Sequence, residues 1–276
     1  MYRDRIMKVI EKRRKIIQLM SALIYNLNLN GFMTGAIYKG NVKSFCVPGL
    51  NCYSCPGAIA SCPLGSIQTA LITLDYRFPF YVIGTLLLFG VLLGRSICGF
   101  LCPFGLIQEL MYKIPTKKIK KNNISRKLSM IKYIILILFV LIIPLIFLEP
   151  GFCKYICPAG TLEAGIIITS FNSSIRELTG ILFSWKILIL LIVLIISVFV
   201  YRGFCRFICP LGAFYAMFNK ISLFNIEIDK NRCNGCRECI NVCKMDVLKI
   251  GDGECIRCGE CINACKSKAI VYKIMK

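Results

Sequence analysis

Eight of the chain's 18 cysteines lie in two runs near its carboxyl end. Both runs have the spacing C-x2-C-x2-C-x3-C, the first from Cys233 to Cys243 and the second from Cys255 to Cys265. Three cysteines at this spacing can place their thiolates around one face of an iron–sulfur cube. Zinc sites use separated C-x2-C pairs and often histidine, which fits this spacing poorly. The two runs therefore predict iron–sulfur binding.

The fourth cysteine of each run decides how the ligands are shared, because in runs of this kind it binds the cluster of the other run. The pattern predicts two [4Fe-4S] clusters, one on Cys233, Cys236, Cys239 and Cys265, and one on Cys255, Cys258, Cys261 and Cys243. Residues 226–272 resemble the bacterial two-cluster ferredoxins. The chain departs from them after the fourth cysteines, where Lys244 and Lys266 replace the usual proline, which is not a ligand.

Four of the other ten cysteines begin a repeated phrase, C-P-x-G, at Cys62, Cys102, Cys157 and Cys209. Proline suits the first turn of a helix, and the N–H groups there favour an anionic ligand. Each phrase therefore predicts a cysteine at a helix N-terminus. The last three phrases have a second cysteine four residues earlier, namely Cys98, Cys153 and Cys205. The first phrase follows Cys46, Cys52 and Cys55 instead.

The composition predicts a membrane protein with a small polar appendage, because 57% of the residues are hydrophobic and the mean hydropathy is +0.68. The chain contains no histidine, which excludes bis-histidine haem, Rieske centres and histidine-ligated zinc. Its net charge of +21 does not indicate nucleic-acid binding. Much of that charge lies in short loops beside apolar segments, where it sets membrane orientation.

The predicted fold class is a mostly α integral membrane protein with about four transmembrane helices and a small α+β ferredoxin domain. The parts are a basic cytoplasmic N-terminus (1–15), a membrane domain (16–224) and a cytoplasmic two-cluster domain (225–276). The predicted spans are Ile16–Met33, Phe78–Leu93, Tyr133–Leu148 and Gly180–Tyr201. The loops carry sixteen Lys/Arg on one side and six on the other. This bias predicts a multi-pass protein of the cytoplasmic membrane with both termini in the cytoplasm.

This topology sorts the remaining cysteines. It places Cys98, Cys102, Cys205 and Cys209 at the inner edge, where they predict a third [4Fe-4S] cluster. The outer side has six cysteines, two more than one cubane needs. The preferred fourth cluster uses Cys153, Cys157 and two of Cys46, Cys52, Cys55 and Cys62, and the other pair forms a disulfide or is redox-active. Two alternatives are a cluster on those four loop cysteines alone and ordinary disulfides throughout the outer set.

Most of residues 14–272 resemble the NapH/NosR-type membrane polyferredoxins. The resemblance rests on Cys98-Gly-Phe-Leu-Cys102-Pro, Cys205-Arg-Phe-Ile-Cys209-Pro and the carboxyl-terminal runs. It implies electron transfer between a membrane or outer-face donor, often quinol, and a partner reductase or flavoprotein. The Cys153/Cys157 pair and the cysteine-rich loop look like additions to the simplest form of this family.

No nucleophile–base pair or carboxylate dyad is recognisable, so we expect an electron-transfer subunit of an oxidoreductase system without an active site of its own. The expected partners are the lipid bilayer and a redox protein (ferredoxin, flavodoxin or flavoprotein), with no nucleic acid, in an anaerobic setting. Asparagines of the first span could line a quinone or flavin pocket or join helices by hydrogen bonds. A membrane-anchored redox sensor or a maturation factor for metal sites is the alternative. A transporter is disfavoured, because only Lys132 and Lys186 lie near the spans, at their ends.

A group of cations surrounds the carboxyl-terminal cysteine runs. Its members are Arg232, Arg237, Lys244, Arg257, Lys266 and Lys268. They could steer an acidic electron carrier to the clusters. The other interpretation is a solvated face that offsets the negative charge of the clusters.

Overall fold

The computed structural model describes residues 2–73, 79–119, 123–245 and 247–274. Most of these residues are helical. The helices are α1 (Tyr2–Tyr25), α2 (Leu29–Thr34), α3 (Pro63–Ile72), α4 (Phe80–Leu93), α5 (Ser96–Phe100), α6 (Pro103–Tyr112), α7 (Asn123–Leu128), α8 (Ile131–Ile135), α9 (Ile143–Phe147), α10 (Gly151–Tyr155), α11 (Pro158–Gly160), α12 (Ile166–Phe171), α13 (Ser173–Glu177), α14 (Ile181–Phe199), α15 (Gly203–Phe207), α16 (Pro210–Phe218), α17 (Glu238–Val242) and α18 (Glu260–Ala264). π-Helical segments join α8 to α9 (Leu136–Ile142) and α11 to α12 (Thr161–Gly165), and Asn41–Ser44 forms a 3₁₀ turn.

In the part of the chain that the structure describes, two helices are long and apolar enough to cross a membrane by length and composition. They are Ser125–Phe147, with 23 residues, and Ile181–Phe199, with 19 residues. Only 17% of the most apolar window of each is buried, whereas the core helix of a soluble protein would be mostly buried. A third apolar helix, Phe80–Leu93, is shorter, and the predicted start of that span at Phe78 lies outside the described residues.

The first predicted span, Ile16–Met33, is not one continuous helix. Helix α1 ends at Tyr25, and α2 begins at Leu29. The asparagine amides around this break have partners inside the protein: Asn26 Nδ2 donates to Asn51 Oδ1 at 3.0 Å, and Asn28 Nδ2 donates to the Pro56 carbonyl at 2.8 Å. These bonds tie α1 and α2 to the cysteine-rich loop, so they support the helix-packing interpretation of these polar residues.

The carboxyl-terminal segment is a small α+β unit, as expected. Strands β1 (Phe224–Ile228) and β2 (Ile270–Ile274) pair in antiparallel register, with Phe224 opposite Ile274. Between them lie α17 and α18, each a short helical turn that follows two cysteines of its run and contains the third. Ile226 and Ile270 pack on Cys261 in a small core of this unit.

The same unit is packed firmly against the rest of the protein. Its Met245 and Ile256 belong to the main hydrophobic core together with Phe104. Helix α5 approaches it closely at Gly99, where an added Cβ would lie 2.4 Å from the Ile256 carbonyl oxygen. Glycine is required there because any side chain would collide with that backbone. The ferredoxin-like unit is therefore docked on α5 and α6.

Buried ion pairs fix this docking. The Glu254 carboxylate accepts from both Arg95 and Lys132, and both cations are fully buried. Asn219 Nδ2 donates to the Cys255 carbonyl at 2.9 Å. Lys132 was expected at the end of a span, but the helix begins earlier, at Ser125, so that Lys132 lies inside it and faces Glu254.

Candidate iron–sulfur sites

The four C-P-x-G phrases form the same local structure. Each proline is the first residue of a helix (α3, α6, α11 or α16), and the preceding cysteine is its N-cap. In two phrases the glycine N–H donates to the cysteine sulfur at 3.4 Å, from Gly160 to Cys157 and from Gly212 to Cys209. In the other two, the N–H groups of Gly65 and Gly105 lie close enough to lower the pKa of Cys62 and Cys102. The predicted placement of these cysteines at helix N-termini is confirmed. The N–H groups favour the thiolate form that binds iron.

Four cysteines meet between α5, α6, α15 and α16, and we call them the inner set after their predicted side. They are Cys98, Cys102, Cys205 and Cys209, all buried. Burial, together with the nearby thiols of Cys205 and Cys98, raises the pKa of Cys102. The structure thus brings together the four side chains from which the third cluster was predicted.

Buried cations surround the inner set. Arg95 Nη2 donates to the Cys205 carbonyl at 2.9 Å, and Arg202 donates to the Cys98 carbonyl. Arg202 also pairs with Glu109, as does Arg14. Burial alone would raise the pKa of Glu109, but the positive charges of Arg202 and Arg14 outweigh it and hold the pKa at about 2. A buried anionic group is expensive unless it is paired, and these cations provide that compensation.

A second group of four cysteines, which we call the outer set, lines one cavity of about 1010 Å³. It consists of Cys52, Cys62, Cys153 and Cys157. Burial raises the pKa of Cys62 to about 11 and that of Cys153 to about 12. The outer set therefore joins Cys153 and Cys157 to two loop cysteines, which is the arrangement of the preferred prediction.

The two other loop cysteines have separate surroundings. Cys46 Sγ lies 3.7 Å from Ser66 Oγ, and Cys55 Sγ lies 3.5 Å from Asn26 Oδ1. All 18 cysteines lie in the described part of the chain, and none of them forms a disulfide. Of the two expectations for the surplus pair, a disulfide or redox activity, the disulfide is therefore not formed, because the two side chains pack against different parts of the protein.

The carboxyl-terminal cysteines form two further groups. Cys243 lines a small cavity with the first three cysteines of the second run; this docked tail set is Cys243, Cys255, Cys258 and Cys261. The structure thus brings the fourth cysteine of the first run to the second run. Cys233, Cys236 and Cys239 form an exposed tail set. The sulfur of Cys265, the remaining predicted ligand, accepts from the Ala269 N–H at 3.3 Å.

These groups fit iron–sulfur cubanes better than single metal ions. Among the described residues, no three cysteine, aspartate or glutamate side chains are close enough to hold one metal ion. A cubane distributes its four thiolates over four irons, so its ligands stand further apart. Buried thiols with raised pKa values also need the positive charge of iron to become thiolates. Donor type, number and surroundings are therefore consistent with [4Fe-4S] clusters.

The inner and outer sets are neighbours, which their predicted placement on opposite sides did not suggest. The cysteine-rich loop enters the protein, so that the Leu50 N–H lies close enough to Cys102 to lower its pKa, and the Asn51 N–H has the same effect on the pKa of Cys62. Two consecutive peptide groups thus approach one sulfur of each set. The buried Tyr215 hydroxyl, which donates to the Pro48 carbonyl at 3.0 Å, lies between them.

Sequence reasoning missed several residues of these sites. Arg95 was counted as a loop charge that sets orientation, and Arg202 was not singled out, yet both are fully buried beside the inner set. Their carboxylate partners, Glu109 and Glu254, were not singled out. A signal existed for two others: Gln68 and Gln108 recur six residues after the cysteine of their phrases, and both contact cysteine sulfurs.

Helices that place groups of cysteines together are typical of an iron–sulfur protein. Comparison with known families also indicates an iron–sulfur protein. A family described as "4Fe-4S binding domain" matches residues 74–122, 132–172 and 182–229, together half of the chain. A second family of the same description matches residues 225–248. The chain belongs to this 4Fe-4S binding family, in its NapH/NosR-type membrane polyferredoxin branch, and it carries multiple [4Fe-4S] clusters.

Three relatives illustrate the range of the family. An uncharacterized protein of Methanocaldococcus jannaschii is 32% identical over 56% of this chain and 53% of its own length. The regulatory protein NosR of Stutzerimonas stutzeri is 30% identical over 57% of this chain and 21% of its own length. The methylamine utilization ferredoxin-type protein MauN of Methylobacillus flagellatus is 32% identical over 59% of this chain and 51% of its own length.

The matched region spans about half of the length of the Methanocaldococcus protein and of MauN, and about a fifth of the length of NosR. No solved structure matches the chain. The relatives support electron transfer as the general role of this protein.

Proposed function

We propose that this protein is a membrane-bound electron-transfer protein. It passes electrons between a donor or acceptor at the outer face or in the membrane and a cytoplasmic redox partner. When bound, the [4Fe-4S] clusters supply the one-electron carriers. The protein's own residues hold four thiolates at each site, exclude water and balance the buried charge. The proposed ligands are the outer set, the inner set, the docked tail set, and Cys233, Cys236 and Cys239 with Cys265.

The observation that carries the proposal is that the four cysteine groups follow one another through contacts. The Leu50–Asn51 peptide joins the outer set to the inner set. Arg95 lies beside Cys98 of the inner set and beside Cys255 of the docked tail set. Cys239 of the exposed tail set is close enough to Cys261 of the docked tail set to help raise the pKa of Cys261. Electron transfer requires a series of short steps between neighbouring clusters. A purely structural role for the cysteines would not require such a series.

The two ends of this series differ in their surroundings. At one end, residues 233–238 are all exposed, which leaves the exposed tail set open to a soluble partner. Arg232, Arg237, Lys266 and Lys268 are exposed around it. This charge favours an acidic carrier such as a ferredoxin, flavodoxin or flavoprotein. At the other end, the outer set lies in the large cavity, away from that surface.

Membrane insertion is part of the proposal. The two long apolar helices and the shorter Phe80–Leu93 helix expose large aliphatic side chains, for example Leu88, Ile134 and Ile195. Apolar surface of this extent needs lipid or another protein to cover it. We expect the chain to stay with the membrane pellet after extraction with alkaline carbonate, and its release into the supernatant would contradict insertion.

The deciding experiment is anaerobic purification in detergent, followed by iron and acid-labile sulfide determination and an EPR-monitored reductive titration. Four clusters give about sixteen irons per chain. Cys205→Ser and Cys157→Ser should each remove about four irons and one EPR signal, whereas the surface variant Lys39→Ser should remove none. An iron content of about eight, unchanged in both cysteine variants, would leave only the tail clusters and refute the series.

A further inference from the structure

The chain contains only three glutamines, and all three side chains are fully buried. Two of them occupy equivalent positions, six residues after the cysteine of the first and second C-P-x-G phrases. Gln68 Nε2 lies 3.2 Å from Cys153 Sγ, and Gln108 Nε2 lies 3.1 Å from Cys205 Sγ. The same contact therefore occurs once in the outer set and once in the inner set.

The hydrogen bond made by the amide oxygen of each glutamine shows which end of the amide faces the sulfur. Gln68 Oε1 accepts from the Phe152 N–H at 2.9 Å, and Gln108 Oε1 accepts from the Phe204 N–H at 3.1 Å. A backbone N–H can only donate, so the oxygen of each amide must point to it. The NH2 group is then the end that points to sulfur, and each Nε2 also reaches a carbonyl oxygen, that of Leu64 or Phe104.

The two later phrases do not repeat this contact. At the sixth position after their cysteines stand Glu163 and Tyr215. Glu163 accepts from the Cys52 N–H at 2.7 Å, and the Tyr215 hydroxyl donates to the Pro48 carbonyl. Both hold the cysteine-rich loop, and neither of these bonds reaches a sulfur. The outer set and the inner set thus have one glutamine donor each. Gln68 bonds Cys153 in the outer set, and Gln108 bonds Cys205 in the inner set.

We propose that Gln68 and Gln108 set the reduction potentials of the clusters at the outer and inner sets by donating a hydrogen bond to a ligand sulfur; this rests on the proposed assignment of ligands. One-electron reduction adds negative charge to the cluster and its sulfurs, without bond cleavage or proton transfer. An N–H donor stabilises that charge more in the reduced state than in the oxidised state. The bond therefore raises the potential. These are positioning and tuning residues, and no electron resides on them.

The test compares Gln68→Met and Gln108→Met, which keep the buried volume but remove the donor. The control is Gln18→Met, because Gln18 is also fully buried and its Nε2 reaches the Cys102 carbonyl, at 3.5 Å, instead of a sulfur. Reductive titration with dithionite and redox mediators, followed by EPR, gives one midpoint potential per cluster. Gln108→Met should lower the inner potential by about 59 mV, a tenfold fall in the one-electron reduction constant. Gln68→Met should do the same at the outer set only, and Gln18→Met should change neither.

Unchanged potentials in fully loaded Gln68→Met and Gln108→Met proteins would overturn the inference. If a variant loses its cluster, a protein that keeps both Gln68 and Gln108 decides. In Gln18→Met protein labelled with side-chain ¹⁵N-glutamine, pulsed EPR of the reduced clusters should show ¹⁵N coupling, and its absence also overturns the inference. Failure of the ligand assignment is recognised separately, because Cys205→Ser would then leave the iron content and every EPR signal unchanged.

Discussion

At the residue scale, Glu109 joins three side chains beside the inner set. Its carboxylate pairs with Arg14 and Arg202 and accepts a hydrogen bond from the Tyr201 hydroxyl at 2.7 Å. All four residues are buried. Neutralising Glu109 leaves two buried guanidinium groups without a countercharge, which is far more costly than breaking an exposed pair.

Glu109→Gln should therefore lower the free energy of unfolding by about 3 kcal/mol. Thermal and denaturant unfolding in detergent measure this change. The control is Glu227→Gln, which breaks the exposed pair with Lys273 and should cost less than about 1 kcal/mol. Equal effects of the two substitutions would show that the Glu109 network does not stabilise the protein.

The two kinds of loop cysteine also separate at this scale. Cys52 lines the outer cavity, and Cys46 does not. We expect Cys52→Ser to remove about four irons per chain, because a cubane site that lacks one thiolate is compromised. Cys46→Ser should retain the full iron content. If Cys46→Ser loses iron and Cys52→Ser retains it, Cys46 and not Cys52 is the ligand at the outer set.

At the scale of elements, α5 determines how closely the carboxyl-terminal unit approaches the inner set. Gly99 of α5 lies directly against the Ile256 carbonyl. Gly99→Ala should push the two apart, at a cost of about 1 to 3 kcal/mol. The expected results are faster proteolysis of the carboxyl-terminal unit and slower electron equilibration between the inner and tail clusters.

Helix α4 offers the control for this change. An added Cβ at Gly84 would meet nothing within 4 Å. Gly84→Ala should therefore leave docking unchanged and, because alanine favours the helix, stabilise it by up to about 1 kcal/mol. Proteolysis that is equally fast in both variants would exclude the close approach at Gly99 as the docking contact.

At the scale of the whole molecule, the proposed exit for electrons is the exposed tail set with its surrounding cations. Arg232→Glu combined with Lys268→Glu should lower the second-order rate constant for reduction of an acidic carrier by about tenfold at low salt. The difference should diminish at high ionic strength, since salt screens exposed charges. Stopped-flow kinetics with a ferredoxin or flavodoxin measure the rate.

The control for that experiment is Lys39→Glu combined with Lys127→Glu. Both lysines are exposed, and the double substitution changes the net charge equally. Its rate constant should change much less, because both lysines lie far from the exposed tail set in the sequence. A tenfold fall in this control would mean that overall charge, and not a docking surface, steers the carrier.

Cysteine spacing by itself determined much of this protein. It predicted the tail runs with Cys243 joined to the second run, the helix that begins after each C-P-x-G cysteine, and the four cysteines of the inner set. These features are local or follow from the alternation of apolar segments, so a few residues of chain restrict them strongly.

Only the tertiary structure decided which two loop cysteines join Cys153 and Cys157, that the outer and inner sets meet at Leu50–Asn51, and that the carboxyl-terminal unit is docked. It also decided that Gln68 and Gln108 face sulfur. Each of these features depends on contacts between segments far apart in the chain. Spacing restricts what neighbouring residues can reach, whereas packing of the whole core decides which distant groups come together.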